Sequence, residues 1–241
     1  DHLVVQDIFF PETAWNAHVI LPASAHAEKL GTYTNTNRQV QIGRPALEMP
    51  GQARQDWELI VELGQRIGMD WRYDQVSDVY TEMTQVMPSL KNISWGRVER
   101  EDSVIYPARG LDVPGDEVVF TTGFPTSDGR GRIVPADLLP PDEVPDEEYP
   151  LVLTTGRQLE HWHTGAMTRR AGVLDAIEPQ GIAAMNPRTI ARQDLTPGDM
   201  IAVETRRGRV EAVLRADRDV ADDMVFMPFC FNESPANRLT N

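Results

Sequence analysis

The alternation of apolar and polar stretches at the start of the chain predicts two short strands with a helical turn between them. Apolar residues dominate 3–10, which we interpret as a buried strand, and 18–21, which we interpret as a second strand; a proline-led stretch at 11–14 favours a short helix. This order is typical of a parallel sheet, whose ligands lie beyond the carboxyl ends of the strands. Asp7 occupies such an end, either as a ligand contact or as the N-cap of the helix.

Two later stretches with helical periodicity predict scaffold helices. Their apolar positions recur at intervals of three and four residues, and Ser77 is placed to cap the second helix. The elements predicted up to residue 132 are, in chain order, a short helix near 24–29, turns over 31–41, helices over 55–67 and 77–87, an irregular stretch over 92–115, a strand over 117–120 and an exposed turn over 125–132. We therefore predict an α/β and helical region for residues 1–140.

Prolines and acidic residues concentrate between the two halves of the chain and predict an extended linker over 141–150. The chain beyond it is rich in short apolar stretches with a period of two. They predict strands over 151–154, 181–185, 200–204, 210–214 and 224–231, and one helix that begins at Asn186-Pro187 and runs through Arg192. Many short strands with one helix favour a closed β-barrel, so we assign residues 151–241 to a second domain.

Composition and charge narrow the classes of function. The chain has 241 residues, and its net charge of −14 disfavours binding to a nucleic-acid polymer. No apolar run is long enough to cross a bilayer, so we expect no membrane insertion. Cys230 is the one cysteine, which excludes a disulfide or cysteine cluster within this stretch and fits a cytoplasmic compartment. The start without methionine predicts a processed product or a piece of a longer chain.

Groups that can make directional contacts concentrate directly after the strand at 151–154, in a predicted loop that opens with Thr155 and Gly156. Gly156 lets the backbone approach a ligand, and Arg157 can bind a phosphate or carboxylate through two parallel hydrogen bonds. The residue types favour equally a binding loop for a large anionic ligand and a half-buried wall with satisfied polar atoms. A metal site on His161 and His163 is disfavoured because no third ligand follows at a matching spacing.

This loop, GRQLEHWHTGAMTRR, resembles the guanine-dinucleotide-binding loop of the bis-molybdopterin oxidoreductases, the superfamily of formate dehydrogenases and periplasmic nitrate reductases. VVQDIFFPETAWNAHVILPASAHAEKLGTYTNTNRQVQ resembles the edge of its cofactor-binding α/β domain, and PFCFNESPANRLTN resembles a stretch near the end of its C-terminal barrel. The resemblance implies an α/β portion of the molybdopterin-binding domain followed by a mostly-β double-psi barrel, incomplete at its end. Within the superfamily the chain is most similar to the large subunit of cytoplasmic, NAD-linked formate dehydrogenase.

The resemblance implies contacts to the cofactor but neither a catalytic residue nor a metal ligand in this stretch. Asp7 resembles the carboxylate that accepts hydrogen bonds from a pterin or guanine amino group, and Pro11 stands where relatives often have a threonine. The implied cofactor-binding residues are Asp7, Gly31, Thr34, Thr155, Gly156, Arg157, Gln158, His161, His163, Thr164, Met167, Thr168, Asn186, Phe229 and Asn237. Cys230 does not match the family's metal ligand.

The activity implied by the resemblance is oxidation of formate to carbon dioxide at a molybdenum or tungsten centre held by bis-molybdopterin guanine dinucleotide. Electrons pass through iron–sulfur clusters elsewhere in the full subunit, and through partner subunits that carry FMN, to NAD. Two alternatives remain open: a nitrate reductase catalytic subunit, and a pterin-free structural or electron-transfer relative of the NADH dehydrogenase large subunit. The histidine-rich loop argues against the pterin-free alternative, because an empty site has no use for it.

Overall fold

The computed structural model describes residues 2–240, and the chain divides into two compact units between Ile133 and Val134. The first unit combines two small sheets with three α-helices, and the second is built on one five-stranded sheet. No helix in the described part of the chain is long and apolar enough to cross a membrane.

β1 (Val4–Asp7) and β2 (Val19–Pro22) form a parallel pair, and a 3-10 helix at Glu12–Asn16 connects them. This confirms the predicted order of strand, short helix and strand. The predicted burial is wrong for β1, because the side chain of Val4 is 47% exposed, and that of Val19 on β2 is 40% exposed. Parallel strands are buried when other elements cover both faces of their sheet. An apolar sequence alone does not provide that cover.

The second small sheet lies where the sequence predicted consecutive turns. β3 (Gly31–Thr34) and β4 (Gln39–Gly43) form an antiparallel hairpin, and β5 (Ser103–Ile105) pairs with β4. The prediction of turns over 31–41 is wrong, because the turn occupies only the residues between the two strands. Asn35 closes that turn, since its side-chain oxygen accepts the N–H of Gln39 at 3.0 Å.

The two predicted helices form as α1 (Asp56–Arg66) and α2 (Val76–Val86). Ser77 is not the cap of α2, because the carboxylate of Asp78 accepts the N–H of Gln75 at 3.1 Å and the helix begins earlier.

A third helix, α3 (Trp95–Glu101), forms inside the stretch predicted to be irregular. The core of the first unit gathers side chains from α2, α3 and the β3–β4–β5 sheet around Ile93; its buried members are Val40, Tyr80, Leu90, Ile93, Val98, Val104 and Ala108.

The strand predicted over 117–120 does not form, and these residues lie in turns. Arg38 explains part of this difference, because its guanidinium binds the backbone oxygens of Asp116 and Glu117 at 2.9 and 2.7 Å. Those oxygens are therefore occupied by a side chain rather than by a neighbouring strand.

The second unit contains the strands β6 (Val152–Gly156), β7 (Ile182–Met185), β8 (Met200–Thr205), β9 (Gly208–Ala216) and β10 (Met224–Pro228). They form one mixed sheet in the order β6-β10-β7-β9-β8, with parallel β6–β10 and β7–β9 pairs. The predicted hairpin forms as β8 and β9. Two helices, α4 (Gly172–Ile177) and α5 (Pro187–Arg192), accompany the sheet where the sequence predicted one. Closure of this sheet into a barrel stays a prediction.

The acidic stretch at 141–150 contains no helix or strand, but it is not a free linker. Arg206 in the β8–β9 turn forms ion pairs with Glu143 and Asp146, and its guanidinium lies 4.5 Å from the ring centre of Tyr149. Arg207 pairs with Glu143 at 2.6 Å. Opposite charges therefore attach this stretch to the hairpin, and its role as a linker between two domains stays a prediction.

Candidate functional site

The candidate loop begins later than the sequence predicted. Thr155 and Gly156 belong to β6, because they pair with Met227 and Pro228 of β10. A Cβ atom on Gly156 would lie 2.7 Å from the Phe226 ring, so only glycine fits at this end of the strand. The strand therefore delivers Arg157 as the first residue of the loop.

A tight turn shapes the middle of the loop. The N–H of Gly165 donates to the oxygen of Trp162 at 2.9 Å, and the N–H of Trp162 donates to the Thr168 hydroxyl at 3.0 Å. His163 and Gly165 both have positive φ, 51° and 76°. Thr168 thus closes the turn from inside, while Trp162, His163 and Thr164 are exposed.

His161 forms the buried side of the loop, with 1% of its surface exposed. Its Nε2 donates to the backbone oxygen of Glu178 at 2.8 Å, and its ring meets the Phe231 ring edge-on at 5.5 Å between centres. Its Nδ1 is buried and has no hydrogen-bond partner among the described residues. The two predicted histidines therefore separate into one wall residue and one exposed residue.

Glu178 is also held by Arg215, which donates to both carboxylate oxygens at 3.0 and 2.7 Å. These hydrogen bonds lower the pKa of Glu178, and the nearby amide of Gln158 contributes a smaller effect. By geometry, the buried Nε2 and Oε1 atoms of Gln158 have no hydrogen-bond partner in the described residues. Gln158 and His161 thus leave three buried polar atoms available beside Glu178.

The outer side of the loop carries a cation next to an aromatic ring. Arg157 is exposed, and its guanidinium carbon lies 5.9 Å from the ring centre of Phe229. His163 approaches the same ring at 5.4 Å between centres. No hydrogen bond or ion pair joins Arg157 to another residue among 2–240. The structure thus brings together Arg157, His163 and Phe229, three of the residues that the resemblance implies.

Arg169 was not predicted as a site residue, yet it has the most extensive contacts of the loop. It donates to Asp175 at 2.7 Å and to one oxygen of Glu233 at 3.0 Å, and the ion pair with Glu233 brings Nη2 within 2.9 Å of the other oxygen. Hydrogen bonding to Glu233 raises its pKa above the usual value. Because Glu233 lies far from Arg169 along the chain, no local spacing in the sequence could have indicated this cluster.

The other predicted residues of the second unit lie outside this group. The side-chain oxygen of Asn186 accepts the N–H of Arg188 at 3.0 Å and caps α5, while its amide nitrogen donates to the oxygen of Val220 at 2.9 Å. Asn237 is exposed in a 3-10 turn, and Met167 is 48% exposed at the end of the loop. The side chain of Asn186 is therefore committed to the protein itself.

The predicted residues of the first unit lie on two different sheets. Asp7 ends β1 and is exposed, and its carboxylate accepts the N–H of Phe9 at 3.0 Å. The N-cap of the following 3-10 helix is Pro11, so the alternative role of Asp7 as that cap is wrong. Gly31 and Thr34 stand at opposite ends of β3. The second carboxylate oxygen of Asp7 takes no part in this hydrogen bond to Phe9.

The described residues contain no group of three or more histidine, cysteine, aspartate or glutamate side chains placed to hold a metal ion. Cys230 is buried, and its burial raises the pKa of the thiol. The arrangement on the loop instead suits hydrogen bonding and charge pairing with an anionic, polar ligand.

Comparison with known proteins gives two family matches. The molydopterin dinucleotide binding domain matches residues 151–241, and the molybdopterin oxidoreductase family matches residues 1–66. The F420-dependent formate dehydrogenase subunit alpha of Methanocaldococcus jannaschii is 40% identical over 100% of this chain and 36% of its own length. The assimilatory nitrate reductase catalytic subunit of Bacillus subtilis is 31% identical over 93% of this chain and 33% of its own length.

The fold is similar to that of a solved structure, acetylene hydratase from Pelobacter acetylenicus. The TM-score is 0.71 at 20% identity, and the match covers 96% of this chain and 33% of the hydratase. The chain therefore spans about a third of the length of the relatives and of the structure that it matches.

Proposed function

The chain belongs to the molybdopterin oxidoreductase family, and from that premise we propose that it is the cofactor-holding portion of a formate dehydrogenase large subunit. The full protein would oxidise formate to carbon dioxide. Formate dehydrogenase alpha subunits are 40%, 35% and 36% identical over the whole chain, against 31% for the nitrate reductase. These identities favour formate over nitrate as the substrate.

The observation that carries the proposal is that Arg157 is exposed and has no ion-pair partner among the described residues. In a chain of net charge −14, this exposed guanidinium makes no ion pair with the described residues and lies beside the Phe229 ring. A cation with unused donors suits the pyrophosphate of a dinucleotide, which can take two parallel hydrogen bonds from arginine. His163, which shares the same ring, supplies a further donor at the rim of the loop.

The residues present also fit the polar rings of a pterin guanine dinucleotide. Gln158 offers one buried donor and one buried acceptor, and the Nδ1 of His161 offers an acceptor. Buried polar atoms without partners are rare in folded proteins, so a ligand or a water that satisfies them is expected. When bound, the molybdenum or tungsten of the bis-dinucleotide cofactor supplies the two-electron redox chemistry, and this chain orients the cofactor.

Three further residues of the proposed cofactor site act from the backbone or with small side chains. Gly156 lets the ligand approach the end of β6, and Thr164 and Thr168 place hydroxyl groups at and behind the turn. Within the second unit we add Thr155, Met167, Asn186 and Asn237 to the proposed site, as the family resemblance implies; Asn186 would act there through the local backbone that its side chain holds. On the same ground, Asp7, Gly31 and Thr34 are proposed as separate cofactor contacts of the first unit.

We extend the proposal to the fold of the second unit, as part of a double-psi β-barrel. A cavity of about 740 Å³ is lined by both edge strands, through Leu153 on β6 and through Ile201 and Val203 on β8, and by charged residues of the acidic stretch and the hairpin. A closed barrel has no unpaired strand edges. Two edge strands that border one cavity are therefore consistent with a barrel in which further strands pair with these edges.

Two electron acceptors are possible for the full enzyme. The sequence resemblance implies NAD, reached through iron–sulfur clusters and partner subunits with FMN, whereas the three alpha subunits at 35–40% identity are named F420-dependent. The names favour F420, and a cytoplasmic location suits either acceptor. Formate-driven reduction of each acceptor by the full complex, with nitrate-driven turnover as the contrasting assay, distinguishes these activities.

The experiment that tests the cofactor role compares Arg157→Gln with Arg209→Gln in the full-length protein. Arg209 is a second exposed arginine, on β9 of the same unit. We expect Arg157→Gln to lower pterin and metal content roughly tenfold, because hydrogen bonds to charged groups contribute about 1.5–3 kcal/mol, and Arg209→Gln to leave both unchanged. Equal contents in the two variants refute the role of Arg157. Absence of pterin and metal from the parent protein supports the pterin-free alternative.

A further inference from the structure

We propose that Arg169 is a positioning residue that holds the candidate loop in its binding conformation through Asp175, Glu233 and Phe231. This inference rests on the proposed function, because the loop is taken to hold the cofactor. Arg169 itself does not contact the ligand in this proposal. It acts through the residues that do.

The guanidinium of Arg169 joins three segments that are separate in the sequence. Its Nε donates to Asp175 of α4 at 2.7 Å, and its Nη1 donates to Glu233, beyond β10, at 3.0 Å. Its Nη2 donates to the backbone oxygen of Pro179 at 3.5 Å and lies 2.9 Å from the second oxygen of Glu233. All three of its nitrogens thus have protein acceptors, with a side chain only 22% exposed. An arginine whose donors are used in this way is suited to fixing backbone segments rather than to binding an anion.

Arg169 reaches His161 through one aromatic ring. The guanidinium lies over the Phe231 ring at 4.6 Å from its centre, and the same ring meets His161 edge-on. Phe229, two residues earlier, meets Arg157 and His163 on the exposed side. The segment after β10 therefore presents one ring to the buried histidine and the other to the exposed cation.

The side chain of Arg169 also packs against the turn of the loop. Its Cγ would lie 2.6 Å from a Cβ atom on Gly165, and the backbone N–H of Arg169 donates to the oxygen of Gly165 at 2.9 Å. Gly165 in turn fixes Trp162 by a backbone hydrogen bond. Loss of the Arg169 contacts would therefore free the turn that exposes His163.

The test uses hydrogen exchange of the amides at 157–168 in the full-length protein, together with pterin content and melting temperature. Arg169→Gln is expected to speed exchange of this loop roughly tenfold, the scale on which charge-assisted hydrogen bonds act, and to lower pterin content. Arg169→Lys keeps the charge without the fork and is expected to restore part of both losses. Arg192→Gln removes a comparable ion pair, with Asp223, and serves as the matched control.

Partner variants separate this role from a general loss of stability. Glu233→Gln is expected to speed exchange of the loop as well, and adding it to Arg169→Gln should have little further effect, because one contact is removed twice. Unchanged loop exchange in Arg169→Gln overturns the inference, as does an increase that spreads evenly over the five strands. Since exchange is measured without reference to the cofactor, a parent protein without pterin refutes the proposed function while the loop measurement still decides the role of Arg169.

Discussion

The Nε2 atom of His161 lies 2.8 Å from the backbone oxygen of Glu178. A carbonyl oxygen only accepts hydrogen bonds, so Nε2 carries the proton and Nδ1 keeps its lone pair in the neutral ring. This contact fixes the tautomer of a buried imidazole and leaves Nδ1 as an acceptor. The contact of His161 with Phe231 fixes its ring plane as well. The buried histidine is therefore a rigid part of the loop.

His161→Phe tests this arrangement, because phenylalanine keeps an aromatic ring but removes the hydrogen bond to Glu178. We expect the free energy of unfolding of the second unit to fall by about 1–3 kcal/mol, the cost of an unsatisfied buried carbonyl. Hydrogen exchange of the β9 amides in the full-length protein measures the change. His163→Asn is the contrasting variant: it tolerates the positive φ and should leave stability within roughly 0.5 kcal/mol while lowering pterin content.

The pattern of apolar and polar residues was sufficient to predict an element where the buried side chains recur with the period of that element. The β8–β9 hairpin has that property and was predicted. α1 was also predicted, but burial in it does not follow the period, because Ile60 and Leu63 are 53% and 48% exposed. α3 was missed because Arg97 stands at a core position, 3% exposed, and disguises the apolar face. Its guanidinium is satisfied by Glu101 and by the backbone oxygens of Asn92, Gly110 and Val113. Glu101 is only four residues away, but the oxygens of Gly110 and Val113 are too distant in the chain to be inferred from local spacing.

The candidate site shows the same division. The residues of the loop were predicted as candidates from Arg157 onwards, and Arg157, His163 and Phe229 lie together. Their role in binding a cofactor stays a proposal. The contacts that hold the loop were not recognised, because Asp175 and Glu233 are ordinary acids in sequence. They acquire their role only through packing, and the same holds for the pairing of Arg215 with Glu178.

Arg215 makes the stability of the second unit depend on pH. Its hydrogen bonds lower the pKa of Glu178 below the usual 4.5. Since the folded pKa is the lower one, the stabilisation is present above about pH 4.5 and is lost as the pH falls through the folded pKa. Arg215→Gln should therefore lower stability at neutral pH and flatten the acid limb of a plot of melting temperature against pH.

Arg215→Lys provides the control for this titration. Lysine keeps the charge but lacks the planar fork that donates two parallel hydrogen bonds to a carboxylate, so part of the acid dependence should remain. A melting-temperature profile between pH 3 and 7 that is the same for the parent protein and Arg215→Gln contradicts the assignment of this acid limb to Glu178.

Gly165→Ala is expected to disrupt the turn of the loop. Gly165 has a φ of 76°, and a Cβ atom there would lie 2.8 Å from the backbone oxygen of Cys230. Strain of this kind costs on the order of 1–3 kcal/mol, so the loop should open locally and pterin content should fall. Gly172→Ala is the matched control, because φ is ordinary there and a Cβ atom meets nothing within 4 Å. Similar hydrogen exchange at 157–168 in both variants contradicts the prediction.

The contacts of the acidic stretch with the hairpin predict a salt-sensitive attachment. Hydrogen bonds from Arg207, and to a smaller extent from Arg206, lower the pKa of Glu143 below the usual 4.5. The stabilisation by these ion pairs is therefore fully present above pH 4.5 and is lost as the pH falls through the lowered pKa. These groups are exposed, and salt screens exposed pairs. Glu143→Gln, or high salt with the parent protein, should speed cleavage next to Val144 by a protease specific for apolar residues.

Glu147→Gln is the matched control for this attachment, since it removes one acid from the same stretch without removing an ion pair seen in the described residues. Its cleavage rate next to Val144 should equal that of the parent protein. Glu143→Gln should also lose most of its dependence on salt, because the charge that salt screens is gone. If cleavage is equally fast in the parent protein and in Glu143→Gln at low salt, the stretch moves freely, and the ion pairs with Arg206 and Arg207 do not hold it.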